Sequence, residues 1–315
     1  MAMTENQGQG GTLITQAISA IKRDREGGRT NPFGYLFIAP ALILYMVFNL
    51  WPMIRGFAMA FTDYRFIAES TRWSFNGLDN FKEILTDKVF LSGLGISLRY
   101  LAMYLPLMFI LALFLAILIS RVRMGGQFYR WVVYLPTILP IAVTLLMFKQ
   151  LYNFKFGFFN NVLMDLGVVN VPNWLGDVGT ALPALMVADL WRSFGFPTLL
   201  FLIGIYNISV ELYEAAAIDG ASWWDQLTQI TLPLLKPTFA LVIALNVGII
   251  GATESMLVLT NGGPQASTTT LGLYVYQVAF QFGDLRLGYA AAISLLVGMT
   301  AALISFISFR VLRQS

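Results

Sequence analysis

The feature that most constrains the fold is a series of apolar stretches, each about as long as a membrane is thick. A helix needs about 20 residues to cross the hydrocarbon core of a bilayer. Six stretches approach or exceed that length, near residues 35–54, 101–120, 131–148, 181–209, 237–260 and 287–309. Backbone groups in lipid must hydrogen-bond within their own segment, which favours helices. The sequence therefore predicts an all-α membrane protein with six transmembrane helices.

The composition agrees with this class and excludes several others. Only 12% of the residues are charged, about half of the fraction in a typical soluble domain. The 315 residues include no cysteine and no histidine, which excludes disulfides, Cys/His metal sites and a histidine proton relay. With a net charge of only +3, the basic residues are better explained as topology signals than as a nucleic-acid surface. We expect contact with membrane lipid, no nucleic acid, and no metal or catalytic residue.

Basic residues also predict the orientation, because cytoplasmic segments carry an excess of Lys and Arg. The connection between spans two and three contains Arg121, Arg123 and Arg130 and no acid. The two termini carry Lys22, Arg23, Arg25, Arg29, Arg310 and Arg313. We therefore expect residues 1–33 to form a cytoplasmic tail and residues 34–315 to form one membrane domain, with both termini cytoplasmic. The first external loop is expected at about 62–97.

The connection between spans four and five is unusually elaborate for a membrane protein. Residues 214–237 read EAAAIDGASWWDQLTQITLPLLKP, a polar and acidic stretch with a helical pattern. Glu214 begins a run of strong helix formers, Gly220 interrupts it, and Ser222 with Asp225 has capping-box spacing. The pattern predicts two short helices joined by a glycine turn. The second helix has an apolar stripe that suits either a groove in a soluble protein or the lipid surface, and its acidic flanks favour the protein.

Several polar side chains lie inside the predicted spans. Ionisable groups are costly there, so they normally face the bundle interior and often mark a solute pathway. We assign a candidate substrate path to Asp189, Arg192, Asn246, Thr253 and Glu254. Asp189 and Arg192 are three residues apart on one helix face, so they form either a mutual ion pair or a polar site for solute hydroxyls.

Two other features leave their role open. Pro136, Pro140 and Pro197 can kink spans three and four, either for motion or as static packing. Small residues four apart in span six, such as Gly288 and Ala292, allow close packing within the bundle or against a partner subunit.

The connection at 214–237 resembles a known family signature. Glu214-Ala-Ala, three residues, Gly220, nine residues and Ile230-x-Leu232-Pro233 resembles the EAA motif of permease subunits in binding-protein-dependent ABC importers. From about residue 37 onwards, segments such as FYRWVVYLPTILP (128–140) and LTNGGP (259–264) resemble the sugar branch. Within that branch, the chain resembles the first permease of maltose, lactose and glycerol-3-phosphate uptake systems.

The resemblance implies a type I ABC importer permease fold, with a cytoplasmic EAA coupling-helix loop at about 209–236. Contact with an ATPase is then assigned to Glu214, Ala215, Ala216, Asp219, Gly220, Ile230, Leu232 and Pro233. The implied partners are a second permease in a heterodimer, two ATP-binding cassette subunits and an extracytoplasmic protein that delivers a sugar-like solute at the inner membrane. Because the sequence lacks a P-loop, ATP and Mg are expected on the ATPase chains and no cofactor on this one.

Three alternatives to a sugar importer are compatible with parts of the sequence. A glycerol-3-phosphate-type permease could use Arg192 to hold a phosphate. A proton-coupled secondary carrier could use Asp189 and Glu254, although the sequence shows no convincing repeated halves. A membrane-embedded enzyme would need a cluster of nucleophile and base, which the absence of histidine and cysteine disfavours.

Overall fold

The computed structural model describes residues 32–66, 73–122 and 124–313. It contains two compact units, Met1–Arg55 and Gly56–Ser315. The predicted tail at 1–33 lies almost wholly outside the described residues.

The first unit carries most of span one, which is helical throughout its described length. Helix α1 covers Pro32–Tyr45, a π-helical turn covers Met46–Leu50, and α2 covers Trp51–Met59. The wider turn ends two residues before Pro52, whose ring would clash in a regular α-helix with the carbonyl four residues earlier. The apolar segment Phe37–Met59 contains nearly all of the predicted span.

The second unit opens with a short helix and then a long one. Helix α3 covers Asp79–Thr86, and α4 covers Lys88–Ser120 as span two. Asp87 caps α4 by accepting hydrogen bonds from the amides of Val89 (2.8 Å) and Phe90 (3.3 Å). The helix contains the predicted span but begins before residue 101, so it and α3 occupy part of the stretch at 62–97 that was expected to be a loop. Hydropathy placed the start too late because the cap stabilises a polar first turn that lies outside the apolar stretch.

Spans three and four are bent. Span three consists of α5, Gly126–Ile138, and α6, Ile141–Leu151, which meet at 90°. Leu139 is extended because Pro140 follows it, and the helix stops there.

After the short helix α7, Phe158–Asp165, span four consists of α8, Val178–Ser193, and α9, Gly195–Tyr206, bent by 51°. Pro197 cannot donate an amide hydrogen bond to Ser193, four residues earlier, which is where α8 ends.

Span five is interrupted near its end. It contains α13, Lys236–Asn246, a 3-10 turn, Val247–Gly251, and a π turn, Met256–Thr260. Ala252 and Thr253 between the turns are not helical. An additional short helix that the sequence did not predict, α14, Leu271–Phe280, precedes α15, Leu287–Arg313, which forms span six.

The described residues thus contain four long apolar helical segments and two bent pairs, which gives up to six candidate spans. Their β structure is limited to one bridge between Thr62 and Phe75. The predicted all-α architecture is confirmed, and the four to six candidate spans agree with the predicted six when each bent pair is one span.

Helix α4 is the central element of the second unit, because its buried side chains enter three hydrophobic clusters. Phe90 joins a cluster with the start of α15, Tyr104 joins one with α6 and α8, and Ala112 joins one with α9 and α13. Burial of a large apolar side chain contributes about 1.5–3 kcal/mol. Among the small residues of span six, Gly288 and Ala292 pack inside this unit, whereas Gly298 has open space beside it.

Candidate functional site

The loop between spans four and five folds into two short helices and a turn. Helix α10 covers Val210–Ile218, and α11 covers Trp223–Gln226. Between them Gly220 has φ +80°, a left-handed conformation that glycine adopts without strain. The predicted capping box is present: the Ser222 amide donates to Asp225 Oδ2 (2.9 Å), and the Asp225 amide donates to Ser222 Oγ (3.2 Å).

The second half of this loop leads directly into span five. A π turn at Leu227–Thr231 and the short α12, Leu232–Leu234, follow α11. As in span one, the π turn precedes a proline, here Pro233. The Tyr213 and Thr231 hydroxyls lie 2.9 Å apart and join the two halves of the loop. We refer to residues 209–236 as the coupling loop, after the role that the sequence resemblance implies.

The coupling loop has an inner face and an outer face. On the inner face Thr231 is buried and Tyr213 is half-buried. On the outer face Glu214 is exposed, and the side chains of Ile218 and Trp224 are 87% and 62% exposed. The outer face is therefore an acidic and apolar surface that no other segment of the described chain covers.

The eight residues assigned to coupling divide between these faces. Glu214, Ala215, Asp219 and Gly220 are exposed, and Ala216, Ile230, Leu232 and Pro233 are half-buried.

A buried carboxylate joins spans two, four and five. Asp189 on α8 is only 3% exposed, and its Oδ2 accepts hydrogen bonds from Tyr100 (2.5 Å) and Ser255 (2.7 Å). Ser193 Oγ donates to the Asp189 carbonyl (2.5 Å) and lies 2.6 Å from the Tyr104 hydroxyl. Since buried polar groups need partners, this network fixes three spans against one another.

The mutual ion pair considered for Asp189 and Arg192 does not form in the described residues. Tyr100 and Ser255 occupy the carboxylate instead. The guanidinium of Arg192 is half-buried, and its Nε has no hydrogen-bond partner in the described part of the chain. Of the two side chains, Arg192 is therefore the one with a donor available to bind a ligand.

The remaining predicted path residues lie on span five. Asn246 donates to the Val242 carbonyl (2.9 Å) and lies at 3.5 Å from the Tyr104 hydroxyl. Thr253 donates to the Gly251 carbonyl (3.1 Å). Glu254 is exposed, next to the non-helical residues of span five, and no bond to its carboxylate is recorded in the described chain.

Sequence reasoning missed Tyr100, Tyr104, Ser193 and Ser255. The available signal was the spacing of Tyr100 and Tyr104, which are one helical turn apart, beside an apolar run. That signal was lost because span two was predicted to begin after Tyr100.

A second hydrogen-bond network joins α3 and the N-terminus of α4 to α14 and span six, which are distant in sequence. Asp87 accepts hydrogen bonds from the Tyr274 (2.5 Å) and Tyr289 (2.7 Å) hydroxyls. Burial acts to raise the pKa of Asp87, but these bonds and the two capping amides hold that pKa below its usual value. Glu83 forms two 2.6 Å bonds with Arg286, and this pairing lowers the pKa of Glu83.

Comparison with known proteins places this architecture in a family. The profile of the binding-protein-dependent transport system inner membrane component matches residues 100–315. The chain belongs to this family. The permease is 30% identical over 287 residues to the lactose transport system permease protein LacF of Rhizobium radiobacter, covering 89% of this chain and 94% of the relative.

Two further comparisons extend over most of the permease. It is 35% identical over 269 residues to the trehalose/maltose transport system permease protein MalF of Thermococcus litoralis, covering 84% and 89% of the two chains. A crystal structure of a bacterial alginate ABC transporter, in complex with an alginate pentasaccharide-bound periplasmic protein, contains a chain that is 25% identical with a TM-score of 0.76. That match covers 94% of the permease and 96% of the solved chain.

These findings confirm the predicted type I ABC importer permease fold and the predicted role as a transport subunit. In this family the ATPase is a separate chain. Membership decides against the secondary carrier and the membrane-embedded enzyme.

Proposed function

We propose that this permease and a second one form the path of a carbohydrate importer in the inner membrane. A binding protein outside the membrane delivers the solute, and two ATP-binding cassette subunits drive the cycle. Support comes from two relatives, which are named as lactose and trehalose/maltose transport permeases. The alginate importer with its periplasmic protein supports it as well.

The outer face of the coupling loop is the observation that carries this proposal. Glu214, Ile218 and Trp224 present a charge and two large apolar side chains together. Exposed apolar surface rimmed by polar groups is typical of a protein interface. The Gly220 turn and the capping box fix the conformation of this face. A fixed conformation is needed if the loop transmits movement from an ATPase to the spans.

The same face is proposed to be cytoplasmic. The Arg121 guanidinium lies 5.0 Å from the centre of the Trp223 ring, so the arginine-rich second connection lies at the same end as the coupling loop. An excess of arginine favours the cytoplasm, and an ATPase works there. Both termini then face the cytoplasm as well, since the number of spans is even.

Along the solute path, some residues position the helices and others contact the solute. The Asp189 carboxylate is buried and already holds two hydroxyls, which suits a positioning role. Glu254 is exposed and Arg192 has an unpaired donor, which suits contact with solute. Asn246, Thr253 and Tyr104 can supply further hydrogen bonds, since sugars are bound by small numbers of placed polar groups beside aromatic rings.

The test is uptake by the permease co-reconstituted with its partner subunits in proteoliposomes. ATP-dependent accumulation of a labelled disaccharide or oligosaccharide, in the presence of the binding protein, is expected. Transport of glycerol 3-phosphate with no carbohydrate uptake would contradict the proposal.

That last outcome defines a second candidate, an anionic solute. Its supporting observation is the Arg192 Nε, buried without a hydrogen-bond partner in the described residues. Arg192→Gln should abolish uptake of an anion, whereas it should only weaken uptake of a neutral sugar.

A further inference from the structure

A cleft of about 420 Å³ lies between the end of span two, the end of span four and the inner face of the coupling loop. Its lining mixes apolar and hydrogen-bonding side chains, among them Ile117, Ile205, Leu227, Ser120, Gln226 and Arg121. The cleft is separate from the candidate solute path, whose predicted residues do not line it.

The one charged side chain among the described residues that line this cleft is positive. Arg121 is the charged residue in its lining, and its recorded partner in the described chain is the ring of Trp223. A second guanidinium is close by, because Arg130 Nη2 donates to the hydroxyl of the lining residue Tyr206 (3.0 Å). The Arg130 Nε is buried without a hydrogen-bond partner in the described residues. The exposed Arg121 guanidinium at the cleft favours an anion, and phosphate matches the bidentate geometry of a guanidinium.

The level of the cleft in the membrane restricts the anion further. Helix α4 ends at Ser120 and α9 ends at Tyr206, so the cleft lies where apolar helices end. Tyr206, Tyr213 and Trp223 line it, and Tyr and Trp are enriched at membrane interfaces. Basic pockets between helices at this level bind lipid headgroups.

We propose that the cleft binds the phosphate ester of an anionic phospholipid. Arg121 contacts the phosphate, and Ile117 and Ile205 contact the first part of an acyl chain. Because Tyr213 and Trp223 belong to the coupling loop, the bound lipid braces this loop against span two. This goes beyond the proposed function and does not depend on the identity of the solute.

The experiment measures lipid retention by native mass spectrometry of the full chain, purified with its partner subunits. The probes are phosphatidylglycerol and phosphatidylcholine with the same acyl chains. We expect selective retention of phosphatidylglycerol, and a roughly tenfold loss in Arg121→Gln, the effect of one charge-assisted hydrogen bond. Arg121→Lys should keep most of the retention, because it keeps the charge.

Arg310→Gln is the matched control, since it removes the same charge near the end of span six and does not line the cleft. Equal losses in the Arg121 and Arg310 variants would overturn the proposal in favour of general surface charge. Binding of sn-glycerol phosphate as tightly as phosphatidylglycerol would assign the cleft to soluble phosphate esters and overturn the lipid. If Arg121→Gln fails to assemble, Ile117→Trp decides: it fills the cleft without a charge change, and undiminished retention in it contradicts the proposal.

Discussion

Ser255 Oγ lies 2.7 Å from Asp189 Oδ2, and this hydrogen bond joins span five to span four beside the interruption of span five. Tyr100 adds span two to the same oxygen. The contact leaves Glu254, one residue before Ser255, outside the buried network. Of the three ionisable residues of the predicted path, the structure thus buries Asp189 between the spans, leaves Arg192 half-buried and leaves Glu254 exposed.

Asp189→Ala should destabilise the permease. It removes the acceptor of two buried hydroxyls, and each unsatisfied group costs about 1–3 kcal/mol. The measurement is the thermal unfolding midpoint in detergent, where Asp189→Asn, which keeps an acceptor oxygen, should fall between wild type and alanine. An unchanged midpoint in Asp189→Ala would show that the network does not hold the spans together.

Glu254→Gln should change transport while leaving stability within about 0.5 kcal/mol, because the side chain is exposed and makes no recorded contact in the described chain. Loss of a charged hydrogen bond to the solute predicts a KM raised roughly tenfold in proteoliposome uptake. Asp165→Asn, an exposed acid on α7, is the control and should transport normally. Wild-type kinetics in Glu254→Gln would remove this residue from the solute path.

Gly220→Val should uncouple ATP hydrolysis from transport. At φ +80° a side chain costs roughly 1–2 kcal/mol, so the turn and the outer face are expected to rearrange. ATPase activity and uptake are measured on the same proteoliposomes. Gly167→Val introduces comparable strain at φ +87° in open space outside the coupling loop and should stay coupled. Full coupling in Gly220→Val would exclude the loop as the ATPase contact.

Stability should fall in acid because of Asp87 and Glu83. Both pKa values are lowered in the folded chain, so these groups stabilise the fold above their ordinary values of 3.8 and 4.5. The contribution is lost as pH falls through the still lower folded pKa. The unfolding midpoint should therefore be insensitive to these groups above about pH 5 and should drop below about pH 4.

Asp87→Asn tests this directly, since asparagine still caps a helix but does not titrate. The variant should lose part of the acid dependence. Asp79→Asn, which alters an exposed partner of Lys82, should retain it. If the unfolding midpoint falls equally steeply below about pH 4 in Asp87→Asn and in wild type, Asp87 is not a source of the acid dependence.

Features that depend on neighbouring residues in the chain were predictable. The Gly220 turn and the Ser222 capping box followed from local residue types, because a cap and a left-handed glycine need only a few adjacent residues. Errors arose where tertiary contacts stabilise a segment. The first turn of α4 depends on Asp87, whose other partners are Tyr274 and Tyr289. Helix α14, with ten residues, is too short to be recognised as a span by its apolar length.

The sequence by itself determined the membrane class, the positions of the apolar spans and the helix–turn–helix form of the loop between spans four and five, because apolar length and local spacing are properties of the chain alone. Only the tertiary structure decided what each buried polar group does. The partners of Asp189 are 89 and 66 residues away in the sequence, so no local pattern could distinguish its buried network from an ion pair with Arg192. The same holds for the cleft at Arg121, whose walls come from three segments that meet only when the spans pack.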